Sequence, residues 1–267
     1  MKKKFMHWLL LVAVITVFAG CSKDHTRASN TFVLVHGAWQ APYVWNTVKA
    51  ALEKGGQKVV VVELPAHGDD FTSPANVSID VYRDKVISAI LSTKEKVILV
   101  GHSLGGVVVS AVAEKIPNKI KKLVYIGAFL PANGQSLADL AGQDAQSLLG
   151  PSLIPSADQL TLDVKHDNIT SIFCQDGSDA VKQLMLANFR VEPAIPFGNP
   201  VTLTDANFGK VDKYYIHTLQ DHAIGIDLQN RMADAAHITK IFSLNTGHSP
   251  FLTQPDEVTK ILFSIAN

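Results

Sequence analysis

The sequence predicts an α/β protein with a mostly parallel six-stranded sheet flanked by helices and a cap inserted after the central strands. Three observations carry this expectation. From Thr31 onward, short β-branched runs alternate with helical periods, the pattern of parallel strands joined by crossover helices. Most of those runs are apolar throughout, as strands covered on both faces must be. Residues 131–210 break the alternation, and an interruption of that length after a central strand is placed most simply over the carboxyl ends of the strands, where α/β sheets bind ligands.

Taken in order, Phe32 to Val35 is the first strand, followed by a helix over Val44 to Lys54 and a second strand over Lys58 to Glu63. A helix from Ile79 to Ser92, with Ser78 as N-cap, leads to the strand Val97 to Val100; a serine oxygen can accept one of the unpaired amides of the first turn. Leu104 to Ile116 is the next helix and Lys122 to Ile126 the fourth strand. The segment 131–210 contains six prolines and short helical patches such as Ala180 to Phe189, with no convincing parallel-strand run. The alternation resumes with strands at Tyr214 to Thr218 and Ile238 to Leu244, and helices at Ile224 to Ala235 and Asp256 to Ile265. Residues 31–130 and 211–267 are thus assigned to one core and 131–210 to the cap.

The first twenty residues belong to a different category. Three lysines precede an apolar stretch from Phe5 to Ala19, the layout of a signal peptide and short of the ~18–20 residues a spanning helix needs. Phe18-Ala19-Gly20-Cys21 resembles the lipobox of bacterial lipoproteins, with Phe18 departing from the usual Leu. Lipidation of Cys21 would tether the mature chain to a membrane of the bacterial envelope, facing an extracytoplasmic space, through the polar residues 22–30. Cys174 is the one other cysteine, so such a mature chain has no intrachain disulfide and rests on its core. The composition, 47% hydrophobic and 18% charged, supplies one. Loss of residues 1–20 removes three of 24 basic residues and no acidic ones, leaving a net charge of −3 with His neutral. Such a balance, without a basic stripe, gives no electrostatic reason to expect nucleic acid; a homodimer is compatible with it.

The chemistry is concentrated at Gly101-His102-Ser103-Leu104-Gly105. This is a GxSxG sequence with a strand before it and a helix after it, the context in which the serine stands on a tight turn as a nucleophile. A serine hydroxyl needs a base to take its proton and an acid to hold that base. Ten histidines are available, and position selects among them. His248 follows the last strand and precedes the last helix, at the same sheet edge as Ser103, whereas His222 follows another strand and His237 precedes one. Asp221, just beyond the strand Tyr214 to Thr218, is the expected acid, with Asp227 as runner-up and Asp212 on the wrong side of the strand. The oxyanion donors expected are the Leu104 amide, directly after the nucleophile, and the Ala38 amide in the loop after the first strand. His36 in that loop reads as a buried brace. His67-Gly68-Asp69-Asp70 is the nearest approach to a metal-ligand cluster, but no HExxH or cysteine pair supports it, so neither metal nor cofactor is expected.

With these residues assembled, the chain resembles the α/β-hydrolase superfamily over residues 31–267. VLVHGAW, ELPAHGDD, VILVGHSLGG, YIGAFLPANGQS and GHSPFLTQP are similar to the branch holding salicylate-binding methylesterases, hydroxynitrile lyases and bacterial carboxylesterases. The resemblance implies a small-molecule ester as substrate. The lyases of the branch carry threonine after the strand-end histidine and lysine after the catalytic histidine; here those positions are Gly37 and Ser249. A serine supplies no cation for departing cyanide, and glycine leaves room for an attacking water, so the resemblance implies an esterase over a lyase or a slow-turnover receptor. The apolar runs Leu184-Met185-Leu186 and Ala194-Ile195-Pro196-Phe197, with Trp39 and Phe129, are candidates for walls of the acyl or alcohol pocket.

Overall fold

A computed structural model describes residues 29–267; the predicted signal peptide and the Cys21 lipidation site lie outside them. Strands β1 (Thr31–Val35), β2 (Lys58–Val62), β3 (Val97–His102) and β4 (Ile120–Ile126) alternate with helices α1 (Asn46–Lys54), α2 (Ile79–Leu91) and α3 (Gly105–Lys115). An insert follows, with α4 (Leu137–Ala141), β5 (Leu153–Pro155), β6 (Thr161–Val164), α5 (Ile169–Phe173), α6 (Asp179–Asn188), β7 (Glu192–Pro193) and α7 (Ile195–Gly198). The core resumes with β8 (Lys213–Thr218), α8 (Ile226–Ala235), β9 (Ile241–Leu244), α9 (Pro250–Thr253) and α10 (Pro255–Ala266).

The six core strands form one sheet in the order β2-β1-β3-β4-β8-β9, and every neighbouring pair is parallel. Side-chain alternation divides the core between its two faces. Val33, Val35, Leu99, Leu123, Tyr125 and Tyr215 face the core formed with α2, α3 and α8, while Phe32, Leu34, Ile98, Val100, Val124 and Ile216 face the one formed with α1 and α10. The chain leaves β1 toward β2 and returns to β3 on the other side, so β1 and β3 flank the point where strand order reverses. At such a point the loops after two adjacent strands diverge and leave a crevice.

The predicted elements are present with small shifts. Ser78 caps α2 by accepting the Val81 amide at 3.3 Å. The last strand starts three residues later than the apolar run suggests, because His237 turns the chain at φ +52° and Ile238 is buried in the helix-side core before pairing begins. The insert contains what the sequence did not show, a three-stranded antiparallel sheet in the order β5-β6-β7. Its strands of two to four residues are too short to display a period. Among the described residues, no helix is long and apolar enough to cross a membrane.

Candidate active site

β3 ends in the GxSxG turn. Ser103 occupies φ +53°, a left-handed conformation that a non-glycine residue adopts at a cost and that persists where the surroundings enforce it. Here its carbonyl accepts the Gly106 amide at 3.0 Å and the Phe129 amide at 3.1 Å. The turn closes so tightly that a Cβ on Gly101 would stand 2.6 Å from the Gly105 carbonyl oxygen. Glycine is therefore a requirement of the elbow, not a sign of flexibility.

β8 and β9 supply the partners. Asp221 follows β8 and spends all its acceptor capacity: Oδ1 takes the amides of Ala223 at 2.7 Å and Ile224 at 2.8 Å, and Oδ2 takes the Thr218 hydroxyl at 2.7 Å. The fourth bond, also at Oδ2, is to His248 Nδ1 at 2.8 Å. A carboxylate saturated in this way fixes both the orientation of the ring and the proton on Nδ1, leaving Nε2 free to accept one. The His248 carbonyl accepts from His102 Nε2 at 2.8 Å, and the two rings lie 4.5 Å apart, which sets His248 beside the residue preceding Ser103. Ser103, Asp221 and His248 are 7%, 6% and 1% exposed.

The alternatives separate cleanly. Asp227 is exposed on α8, Asp212 pairs with Lys240 at 2.6 Å, His222 Nδ1 bonds the Ser171 carbonyl, and His237 is exposed. In the loop after β1, His36 is fully buried, bonding Gly37 O through Nδ1 at 2.8 Å and accepting the Leu64 amide at Nε2. Burial, helped by the neighbouring His67, pushes its pKa down to about 3, so it braces the loop as a neutral ring. Burial likewise holds His102 well below the ordinary imidazole value. Leu104 follows the serine and Ala38 follows Gly37, whose built Cβ would stand 2.7 Å from Ser103 Cβ, and within the described residues neither the Ala38 nor the Leu104 backbone N–H donates a hydrogen bond to the protein.

The insert reaches this site at several places, including hydrogen bonds from the Leu148 amide to the His222 carbonyl at 2.8 Å and from the Gly225 amide to Asp144 at 2.7 Å in the loop of Asp221. Phe173 packs against the His248 ring at 5.8 Å and against Trp39 at 5.6 Å, and Phe197 meets Trp39 at 5.7 Å. Of the apolar runs singled out in the sequence, Phe197 meets Trp39, whereas Met185 is buried beside Cys174 and Leu184 is exposed. Asp176 accepts the Thr246 hydroxyl at 2.6 Å and the Gly247 amide at 3.1 Å, gripping the loop that carries His248. The stretch His67-Gly68-Asp69-Asp70 does not converge on a common point. His67 turns inward to Glu192, with Nε2 to Oε2 at 2.8 Å, while Asp70 accepts the Ala66 and Thr72 amides. Asp176 and Glu192 were invisible to sequence reasoning; the one hint was a lone glutamate between Val191 and Pro193 in an otherwise apolar stretch.

The model of the alpha/beta hydrolase family matches residues 32–261. This chain is an alpha/beta hydrolase. Within that family, it is 34% identical over 254 residues to an Arabidopsis thaliana protein named putative methylesterase 11, chloroplastic, covering 89% of this chain and 64% of that protein. The chain thus spans just under two thirds of that relative's length. It is 29% identical to salicylic acid-binding protein 2 of Nicotiana tabacum, over 88% of this chain and 96% of that one. Among solved structures, an extracellular alpha/beta-hydrolase from a Paenibacillus species superposes with a TM-score of 0.77 at 26% identity, covering 88% of this hydrolase and 98% of that chain. Polyneuridine aldehyde esterase superposes with a TM-score of 0.77 at 23% identity, covering 90% and 100%, and shares the alpha/beta-hydrolase fold.

Proposed function

We propose that this alpha/beta hydrolase cleaves carboxylic esters of small molecules through an acyl-enzyme on Ser103. The observation that carries the reading is the buried Asp221–His248 pair at 2.8 Å, on loops at the carboxyl edge of the same parallel sheet whose strand β3 ends in a serine at φ +53°. His248 Nε2 takes the Ser103 proton as Oγ attacks the ester carbonyl. The resulting oxyanion is received by the unspent N–H groups of Ala38 and Leu104. His248 then gives its proton to the departing alcohol, activates a water in the same way, and returns the proton to Ser103 Oγ as the acid leaves. Asp221 holds the imidazolium through its bond to Nδ1. The esterases among the relatives support this chemistry, and the aromatic walls Trp39, Phe173 and Phe197 suit an apolar acyl or alcohol group beneath the insert, which serves as the cap.

An α-hydroxynitrile lyase of Arabidopsis thaliana also matches, at 26% identity. Against a lyase reading, Ser249 places no cation at the site: its hydroxyl is fully buried and accepts from Gln40 Nε2 at 3.1 Å. A short-chain p-nitrophenyl ester, mandelonitrile and a fluorophosphonate on one preparation test the assignment. Ester turnover with a covalent adduct on Ser103 is expected, and Ser103→Ala should lower the rate by ~10⁴-fold or more. Absence of both turnover and adduct, or cyanide release exceeding ester hydrolysis, would reject it.

A further inference from the structure

We infer that Glu192, together with the β6–β7 pair that carries it, is a positioning residue that sets the Ala38 oxyanion donor by clamping Trp39; the inference rests on the esterase reading above. Trp39 stands at φ +58°, in a region that bulky residues avoid, so something must hold it there. Both of its N–H groups are held by the cap. The backbone N–H donates to Glu192 Oε2 at 2.7 Å, and the indole Nε1–H donates to the Leu162 carbonyl at 2.9 Å. Leu162 on β6 and Glu192 on β7 are direct partners in the antiparallel register, so one rung of the small sheet supplies both acceptors. The peptide that bears the Trp39 amide is the Ala38–Trp39 unit, and its orientation fixes the adjoining Ala38 backbone.

Glu192 is itself fully buried. A carboxylate in that position is costly unless paired, and the pairing is complete: His67 Nε2 lies at 2.8 Å from the same Oε2, His67 Nδ1 bonds the Pro65 carbonyl at 3.0 Å, and Tyr82 OH lies 3.4 Å from Oε1. His67 and Tyr82 come from the core, so the carboxylate joins core to cap at the point where the donor loop turns. A purely packing role would be met by an apolar side chain of the same volume. The presence of a buried charge aimed at one backbone N–H is what a positioning role requires.

The test compares Glu192→Met, which fills the volume without an acceptor, with Glu192→Gln, which keeps one. Because Glu192→Met leaves His67 unpaired, the double variant His67→Leu/Glu192→Met, which replaces the pair by apolar groups, serves if the single one is not recovered folded. Steady-state hydrolysis of a p-nitrophenyl ester is expressed per Ser103 titrated to end point with a fluorophosphonate, so that unfolded protein drops out. Loss of a whole oxyanion donor costs ~10²–10³ in kcat, and a misdirected one is expected to cost ~10–100-fold. That fall in kcat, with KM within about threefold and most of it restored by Glu192→Gln, is the result expected. A Met variant whose kcat per titrated serine equals that of the parent, or a fall borne by KM alone, overturns the inference while leaving the esterase reading intact. A parent protein that neither hydrolyses nor labels overturns both.

Discussion

Gly37 is a position at which a single methyl group should press directly on the serine elbow. It lies between the β1 loop and the elbow, and a Cβ there would stand 2.7 Å from Ser103 Cβ and 2.8 Å from His102 Nδ1. Ordinary contacts between such atoms are about 3.5–4.0 Å, so Gly37→Ala requires a relative displacement of roughly 1 Å. His102 is pinned through Nε2 to the His248 carbonyl and cannot retreat without dragging the histidine loop. Overpacking of this kind costs ~1–3 kcal/mol, and a shift of ~1 Å at a reacting group costs on the order of 10²-fold in rate. The expected outcome is a lowered thermal midpoint and a kcat per titratable serine reduced by about two orders of magnitude. Gly56→Ala is the control, since Gly56 sits at φ +83° with nothing within 4 Å of its built Cβ: it should cost stability of order 1 kcal/mol and no rate. A Gly37→Ala enzyme with the parental kcat would show that the elbow is softer than the contacts imply. The same contacts revise the lyase comparison. Gly37→Thr with Ser249→Lys, which space and charge alone recommend for cyanide chemistry, would press on the nucleophile before it could help a new substrate.

Thr218→Val removes one of the four hydrogen bonds to Asp221 and should lower kcat several-fold with a stability loss of about 1 kcal/mol, measured by thermal unfolding and ester hydrolysis. His36, held near pH 3, and His102, also depressed, stay neutral in the fold where the unfolded chain takes up protons. Stability should therefore fall as pH drops from about 6.5 toward 3, and His36→Gln should flatten that limb in thermal unfolding. His67 runs the other way: burial, the largest influence, pushes its pKa down, but the charge and hydrogen bond of Glu192 outweigh it and the net shift is upward. Its contribution is thus full below about 6.5 and lost as pH rises through the elevated value, so the alkaline slope of the thermal midpoint should be shallower in the His67→Leu/Glu192→Met variant. Cys21→Ala should move the full-length protein from the membrane to the soluble fraction; retention in the membrane would refute lipidation.

The parts of the molecule that were readable in its sequence are those whose signal is local. VILVGHSLGG shows a buried strand, a turn that tolerates only glycine at its edges, and a helix start within ten residues, and each is visible without knowing what lies across the sheet. The nearness of Asp221 to His248 was readable because strand order confines their loops to one edge. The clamp on Trp39 was not, since His67 and Glu192 are 125 residues apart and no local pattern links them. HGDD reads only as a weakly supported ligand cluster, and nothing in it shows that His67 turns inward to Glu192. The cap sheet escaped for a related reason: alternation needs four or more residues to register, and β7 has two.

The attachment of the insert, the cap of the proposed function, to the loops of Asp221, His248 and Ala38 bears on how specificity in such enzymes could be exchanged. The loop of Asp221 is bonded to the insert through Leu148, Ser147 and Asp144, the loop of His248 hangs on Asp176, and the loop of Ala38 and Trp39 hangs on Glu192. A cap transplanted from a relative would therefore not be a neutral cassette. Unless it brought matching hydrogen-bond partners at each of these three junctions, the recipient would gain a new pocket and lose the alignment needed to use it, and its failure would look like poor substrate choice.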